Sequence, residues 1–179
     1  MRELSLHILD IMQNSIVAGA VRIVVKVIAD EAKNLIMIRV EDNGRGMKPD
    51  FVAKVADPFV TTRTTRNVGL GIPLLAAAAQ ASEGMFRITS KSRRGTCVEV
   101  SFGLHHIDRS PLGDITSTMV NTIVSNPDIS FRYEQLVNGK EFVMDTDEMK
   151  EQLGDTPIDD PMVIRWMREY MEQGAMRDE

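Results

Sequence analysis

Three polar residues near the N-terminus share one stripe of an otherwise apolar helix. His7, Asp10 and Asn14 are spaced at i, i+3 and i+7 in the segment HILDIMQNSIVAGA, so an α-helix projects them from the same side. The other positions are mostly Leu, Ile, Met and Val, which predicts a helix buried on most sides. A buried carboxylate and amide need a polar partner, and Mg²⁺ takes oxygen ligands of this kind. The stripe therefore indicates either a magnesium–polyphosphate site or a pair of side chains satisfied within the protein.

Three short motifs follow this helix. They are DNGRGM with Asp42, Gly44 and Gly46, DPFVTTR with Phe59, and GLG with Gly69 and Gly71. Together with the helix that carries Asp10 and Asn14, these motifs make four segments. In this order and at these spacings they resemble the ATP-binding domain shared by gyrase, Hsp90, histidine kinases and MutL, the GHKL ATPases. The resemblance covers residues 4–103, with QNSIVAGA closer to MutL and DPFVTTR and GLGIPLL closer to histidine kinases. It implies the Bergerat fold, a two-layer α/β (α+β) sandwich in which helices cover one face of a mixed sheet.

The resemblance also implies two ligands, ATP and Mg²⁺. Asn14 is implied as the magnesium ligand through its side-chain oxygen, and Asp42 as the acceptor for the adenine amino group. A buried hydrogen bond to a charged group contributes roughly 1.5–3 kcal/mol. The alternative for Asp42 is a turn-starting residue before Asn-Gly, because Asp often hydrogen-bonds the backbone two residues on.

Glycines are expected where the backbone must approach the nucleotide. Gly44 and Gly46 lack a Cβ and can take left-handed dihedrals beside the base. Gly69 and Gly71 would present N–H groups to the phosphates where the next helix begins, although a lone GLG also occurs at plain hinges. The resemblance implies further nucleotide contacts from Met47, Phe59, Thr62, Leu70 and Thr96.

Candidate catalytic residues are Asp10, Arg63 and Arg66. Asp10 takes the position where the family usually has Glu, the base that activates a water, or Asn in many histidine kinases. Asp is one methylene shorter than Glu, which weakens the case for direct contact with that water. Arg63 and Arg66 fall in segment 57–68, expected to be a mobile loop that closes over the phosphates and neutralises charge on the γ-phosphate. Their alternative is a pair of solvated loop arginines. His7 is expected to be a partner of Asp10.

Charge divides the chain into two parts. Residues 1–104 carry 14 Lys and Arg against 10 Asp and Glu, a net charge of +4. Residues 105–179 carry 7 against 16, a net charge of −9. The basic part suits a polyanion such as ATP, and neither part resembles the basic stripe of a nucleic-acid binder. We therefore expect an ATP-binding domain over 1–104 and an acidic C-terminal extension over 105–179, whose charge alone fits a solvated surface equally well.

The extension has its own predicted elements. LGDITSTMVNTIVSN has apolar residues at helical spacing, and Asn138-Gly139 indicates a hairpin between two strands. Asp160 and Pro161 resemble an N-cap and first helical position, opening a helix that Gly174 closes. This small helix–hairpin–helix unit is either the surface that binds a partner, a second copy included, or a segment that completes the core. It resembles tails of stand-alone members of this ATPase family in anaerobes, sometimes encoded near iron hydrogenase subunits.

Bulk features favour a cytoplasmic protein without a membrane partner. No apolar run reaches membrane-spanning length, and no signal peptide precedes the first helix. Cys97 is the single cysteine, so an intrachain disulfide is excluded. It lies in the alternating run TCVEVSF, which predicts a buried strand position rather than a reactive thiol.

Three functions are compatible with these features of the sequence. The first is a slow ATPase whose nucleotide state regulates a partner protein. The second is a protein kinase acting in trans, similar to the anti-sigma serine kinases. The third is a non-catalytic ATP-sensing module, with an accessory role in a hydrogenase or redox complex as one version. An acidic residue at position 10 favours hydrolysis or Ser/Thr phosphotransfer, because a water or hydroxyl must lose a proton and an imidazole need not.

Overall fold

The computed structural model describes residues 3–56 and 71–174. Its elements in chain order are α1 (Leu4–Val17), β1 (Arg22–Asp30), β2 (Leu35–Asp42), α2 (Pro49–Ala56), α3 (Gly71–Ala81), β3 (Phe86–Lys91), β4 (Gly95–Gly103), α4 (Ile115–Ser125), β5 (Ser130–Val137), β6 (Lys140–Asp145), α5 (Thr146–Leu153) and α6 (Pro161–Gly174). The sequence-predicted loop 57–68 lies outside the described residues. So do Phe59, Thr62, Arg63, Arg66, Gly69 and Leu70.

The strands form one mixed sheet of six, in the order β3-β4-β2-β1-β5-β6. β1 pairs with β5 in parallel, and the other neighbours are antiparallel. Two hairpins follow from local sequence, because Asn34 and Asn138 take positive φ angles of 48° that Asn tolerates in tight turns. The parallel pair brings residues of the extension beside the first strand of the N-terminal part.

Helices cover one face of this sheet. Buried and half-buried residues alternate strictly along β1, as expected for a strand with one covered face. α1 contacts α3, α4 and the central strands, and its apolar side packs into the core with Leu4, Ile8 and Met12 fully buried. The predicted two-layer α/β architecture is confirmed.

Cys97 differs from its prediction. It lies on the uncovered face of the sheet, opposite Glu41 of β2, and is only half-buried. Partial burial raises the pKa of this thiol, against the opposing effect of the Arg39 guanidinium. The sequence of β4 carried the signal for the correct face. Val98, Val100 and Phe102 alternate on the covered face, so Cys97 falls on the opposite face with Glu99 and Ser101.

The extension continues the sheet and caps the first helix. β5 and β6 extend the sheet beyond β1, while α4 contacts both α1 and α6. The backbone N–H groups of Leu4 and Ser5, which α1 cannot pair itself, donate to the carbonyls of Pro111 and Leu112 at 2.9 and 2.8 Å.

Caps explain the helices of the extension, including one that local sequence patterns did not predict. Asp160 Oδ1 accepts from the Met162 N–H at 2.8 Å, which confirms its predicted capping role. α5 was not predicted, because it follows β6 without a loop. Asp145 is both the last residue of β6 and the N-cap of α5, accepting from the Asp147 N–H at 2.9 Å. No helix within residues 3–56 and 71–174 is long and apolar enough to cross a membrane.

Candidate functional site

The polar stripe of α1 is present and partly open. Asp10 and Asn14 are half-buried, whereas the helix around them is largely buried. Within the part of the chain that the structure describes, neither side chain makes a hydrogen bond or an ion pair. Oxygen atoms in this state remain able to ligate a cation or to accept from a ligand. The pair is thus not satisfied internally by the described residues.

His7 lies on the same stripe but is buried. It is 2% exposed, and its Nδ1 has no hydrogen-bond partner among the described residues. Burial lowers the pKa of His7, although the Asp10 carboxylate and the Gly71 backbone act in the opposite direction. The imidazole is therefore neutral at pH 7 and adds no positive charge beside Asp10.

The start of α3 meets the Asp10 carboxylate. Gly71 is the first residue of α3, and a Cβ built on it would overlap Asp10 Oδ2. Only glycine allows this approach without moving the carboxylate. Because a helix N-terminus carries partial positive charge, Asp10 lies where an acidic group or a phosphate is favoured.

A second acidic group stands at the end of β2. Asp42 is 9% exposed and accepts two hydrogen bonds, from Ser15 Oγ of α1 at 2.7 Å and from the Gly44 N–H at 2.8 Å. The two donors hold the carboxylate in one orientation. Each oxygen has a further lone pair, so the carboxylate still accepts from a ligand such as an amino group.

The loop after β2 is fixed by backbone contacts that require glycine. Gly46 has φ +62°, and a Cβ there would overlap the Lys91 carbonyl of β3. Gly44 is less constrained, since its added Cβ would lie 3.0 Å from Ala18 Cβ and 3.1 Å from Asp42 Oδ1. Asn43 Oδ1 accepts from the backbone N–H groups of Val21 and Arg22, which attaches the loop to the start of β1.

Ser90 of β3 organises the other side of the site. Its Oγ donates to the Gly95 carbonyl at 2.9 Å and accepts from the Met47 N–H at 2.8 Å. The Thr96 hydroxyl lies 2.9 Å away, and because the Ser90 hydrogen is already used, Thr96 is the donor in that contact. Thr96 is the register partner of Asp42, so both side chains share the helix-covered face. Its oxygen lone pairs are left to accept from a ligand.

A cleft formed by described residues lies at the Asp42 end of this arrangement. It has a volume of about 240 Å³ and is lined by Asp42, Ser90, Gly95 and Thr96, together with residues of the uncovered face such as Glu41 and Cys97. Asp10 and Asn14 are not part of its lining. In the described ranges, no group of three or more His, Cys, Asp or Glu side chains could hold a metal ion.

The structure places the described members of the predicted set in two groups, which the Ser15–Asp42 hydrogen bond connects. α1 contributes Asp10 and Asn14, the β2 end and its loop contribute Asp42, Gly44, Gly46 and Met47, α3 contributes Gly71 and β4 contributes Thr96. Sequence reasoning missed Ser15 and Ser90. Ser15 follows Asn14 directly on an apolar helix, where a buried hydroxyl needs a partner, and that signal was available. Ser90 gave no such signal, since Ser in a half-exposed strand is ordinary.

Comparisons with known proteins agree with this fold. Residues 2–106 match the family described as histidine kinase-, DNA gyrase B- and HSP90-like ATPase, and the chain belongs to that family. It is 34% identical over 108 residues to the sensor protein kinase FleS of Pseudomonas aeruginosa, covering 60% of this chain and 26% of that protein. It is 27% identical over 119 residues to the non-motile and phage-resistance protein of Caulobacter vibrioides, covering 62% of this chain and 14% of that protein.

The fold has a solved counterpart. The ATPase domain of Aquifex aeolicus MutL, complexed with ADP, aligns with a TM-score of 0.55 at 18% identity, covering 86% of this chain and 68% of that one. The chain spans about a quarter of the length of FleS and about a seventh of the length of the Caulobacter protein.

Proposed function

We propose that this chain binds ATP with Mg²⁺ and transfers the γ-phosphoryl group slowly, to water or to a protein hydroxyl, so as to regulate a partner protein. The observation that carries the proposal is the approach of the α3 N-terminus to Asp10, one helical turn from Asn14. Two side chains that make no hydrogen bond to the described residues lie near a helix N-terminus, an arrangement that suits a polyphosphate with a hard cation.

Adenine would lie at the Asp42 end. Its amino group would donate to Asp42, whose orientation Ser15 and Gly44 hold, and Thr96 offers an acceptor on the neighbouring strand. Guanine has a carbonyl in place of that amino group and would face the carboxylate with an acceptor. This end of the site therefore supports preference for ATP over GTP.

Phosphates would lie at the Asp10 end. Mg²⁺ bound through Asn14 would neutralise charge on the phosphate oxygens. The attacking water or hydroxyl would lose its proton to Asp10 as its oxygen bonds to the γ-phosphorus, and the bond to the bridging oxygen of ADP would break. His7 is neutral and buried beside Asp10, so it adds no positive charge that would disfavour protonation of Asp10 or binding of Mg²⁺.

A non-catalytic ATP sensor is the second candidate. The short side chain of Asp10 favours it, because the carboxylate lies against the Gly71 backbone and reaches less far into the site than Glu would. In that case the nucleotide would bind and change the conformation of the chain without turnover.

Incubation with γ-labelled ATP, with and without cell extract, separates these functions. Released phosphate supports hydrolysis, and label on a protein supports kinase activity. Asp10→Asn should lower either signal by roughly 10²–10⁴ while ATP remains bound. Gln13→Ala, an exposed position on the same helix, is the matched control and should leave both signals unchanged. Equal turnover in Asp10→Asn would remove its catalytic role, and bound ATP without turnover in the parent chain would leave the sensor.

A further inference from the structure

One end of the molecule carries a cluster of exposed cations. The turn between β3 and β4 and the loop after β2 build it together, because the Arg93 N–H donates to the Arg45 carbonyl at 2.7 Å. Among the described residues, none of these cationic side chains makes a hydrogen bond or an ion pair. We call the five the basic end cluster: Arg45, Lys48, Lys91, Arg93 and Arg94. The nearest carboxylates in the chain that also lack an ion pair there, Asp42 and Asp50, leave a formal local charge of +3.

The strand register shows which other elements reach this end. Asp145, the last residue of β6, lies in one cross-strand row with Val24 near the start of β1 and Cys97 near the start of β4. β6 therefore ends, and α5 begins, at the same end of the sheet as the β3–β4 turn but at the opposite edge.

This opposite edge is acidic. The Lys150 ammonium of α5 donates to the Pro127 carbonyl at 2.6 Å, which places the turn before β5 beside the helix. Three exposed carboxylates of these two segments make no ion pair within the ranges that the structure describes. We call them the acidic end face: Asp128, Glu148 and Glu151. Counting Lys150, the formal charge here is −2. Asp145 and Asp147 are not included, because they already pair with Arg22.

Two exposed valines lie between the two charged groups. Val17 ends α1 and is 72% exposed, and Val21 precedes β1 and is 64% exposed. On one side, the Arg45 N–H donates to the Ala18 carbonyl at 3.0 Å, which joins this segment to the basic end cluster. On the other side, the Ser130 N–H donates to the Val21 carbonyl at 2.9 Å, and the Ser130 hydroxyl donates to the first turn of α5 at 2.6 Å. The order along this end is therefore basic, apolar, acidic.

The two charged groups are too far apart to neutralise each other within one chain. They belong to opposite edges of a six-stranded sheet, three to five strand spacings apart, which is roughly 14–24 Å. Charges in water are largely screened beyond about 8 Å at physiological ionic strength. A partner that carries both signs in the opposite order satisfies both groups at once. The same end of a second copy has that order after a two-fold rotation.

We infer that this end of the chain binds the same end of a second copy, as a two-fold dimer. With the axis along the sheet normal and close to the valines, the basic end cluster of each chain meets the acidic end face of the other. Val17 and Val21 then pack on their counterparts, which gives an apolar centre with a charged rim.

The size of this end sets the expected strength of the dimer. Six strands span about 24 Å, and a sheet with its helix layer is about 20 Å thick. A contact of these dimensions buries about 1,000 Å² in total, at the small end of specific interfaces. We therefore expect a dissociation constant of micromolar order, sensitive to salt.

The dimer goes beyond the proposed function and can be tested apart from it. Lys91 and Arg94 also line the cleft of the nucleotide site, so the test uses Arg45 and Arg93, which do not. The basic variant is Arg45→Glu with Arg93→Glu, and the acidic variant is Glu148→Arg with Glu151→Arg. All four side chains are exposed, and circular dichroism should show the secondary structure of the parent in both variants.

Sedimentation velocity measures the association. Between about 5 and about 200 µM the parent chain should pass from monomer to dimer in about 50 mM salt, and about 500 mM salt should shift it toward monomer. Each variant alone should remain monomeric. An equimolar mixture of the two should dimerise again, because one contact of the mixed pair is native and the other has both signs reversed.

The matched control is Lys33→Glu with Lys140→Glu. It changes the net charge as the basic variant does, lies at the opposite end of the sheet and should dimerise like the parent. A parent chain that stays monomeric over the whole range in low salt overturns the proposal. A dimer that persists in either charge-reversed variant also overturns it, because another surface would then hold the chains together. So does a mixture of the two folded variants that remains monomeric.

Discussion

Ser15 of α1 donates a 2.7 Å hydrogen bond to Asp42 at the end of β2, and so joins the two ends of the candidate nucleotide site. Asn14, the residue before Ser15, is the proposed magnesium ligand, and Asp42 is the proposed adenine acceptor. The same Ser15 hydroxyl lies 3.1 Å from the Ile11 carbonyl of its own helix. This buried polar contact within the site therefore adds to the apolar packing of Leu4, Ile8 and Met12 in holding α1 on the sheet.

ATP should raise the thermal midpoint of the chain, and GTP should not. At 100 times Kd a ligand adds about 2.7 kcal/mol to the free energy of unfolding, or roughly 5–10 °C for a chain of this size. Asp42→Asn should abolish the shift. One carboxylate oxygen would become an NH2 group, whose hydrogens would face a donor from Ser15, Gly44 or adenine. Asp155→Asn, an exposed carboxylate in the extension, should keep it. Equal stabilisation by GTP would remove the adenine role of Asp42.

Asn14→Ala should remove the magnesium dependence of nucleotide binding. The parent chain should bind ATP more tightly in Mg²⁺ than in EDTA, because the Asn14 oxygen completes the coordination of the cation. In the variant, calorimetric affinities under the two conditions should be the same. Gln13→Ala should retain the difference. A variant that still binds better with Mg²⁺ would assign the ligand to another residue.

Gly71→Ala tests the close approach of α3 to Asp10. Alanine is the better helix former, yet its Cβ at this first position of α3 would displace the Asp10 carboxylate. We expect weaker ATP binding despite the better helix former. When Asp10 is already Ala, Gly71→Ala should lower the free energy of unfolding by less than it does in the parent chain. A double-mutant cycle on unfolding free energy would show this difference as a coupling between the two positions. Additive effects of the two substitutions would contradict the contact.

The buried His7 should make stability fall on mild acidification. Its pKa in the folded chain is below the ordinary 6.5, so the unfolded chain binds more protons as the pH drops through that value. Urea unfolding should therefore give a smaller free energy at pH 5.5 than at pH 7.5. His7→Leu should reduce the difference, whereas His105→Gln, an exposed position, should not. At pH 5.5 the carboxylates with lowered pKa, such as Asp145, are still ionised and do not contribute.

Removal of residues 105–179 should destabilise the remainder rather than release a folded ATP-binding domain. β1 would lose its parallel partner along its length, and the N–H groups of Leu4 and Ser5 would lose their acceptors. Circular dichroism should show no cooperative melting of the fragment. Leu112→Ala, a milder change at a position 1% exposed, should lower the unfolding free energy by about 2–5 kcal/mol. A fragment that melts cooperatively and binds ATP would instead identify residues 105–179 as a separate unit.

Local sequence was sufficient for the family and for the elements other than α5. The i, i+3, i+7 stripe of α1, the alternation in β1 and β2, the Asn138-Gly139 turn and the Asp160 cap each depend on residues close in the chain. Such signals act through short-range geometry, so they can be recognised without the fold. The glycines at 44, 46 and 71 were likewise recognisable from motif spacing.

Tertiary structure alone decided how distant segments meet. No local period predicts that β5 pairs in parallel with β1, that Thr96 lies opposite Asp42, or that Ser90 fixes the Met47 backbone. α5 escaped prediction for a related reason, because its cap is also the last residue of a strand. A strand pairs with whichever neighbouring strand has an unpaired edge in the folded protein. The arrangement of those edges is a property of the whole chain rather than of any one segment.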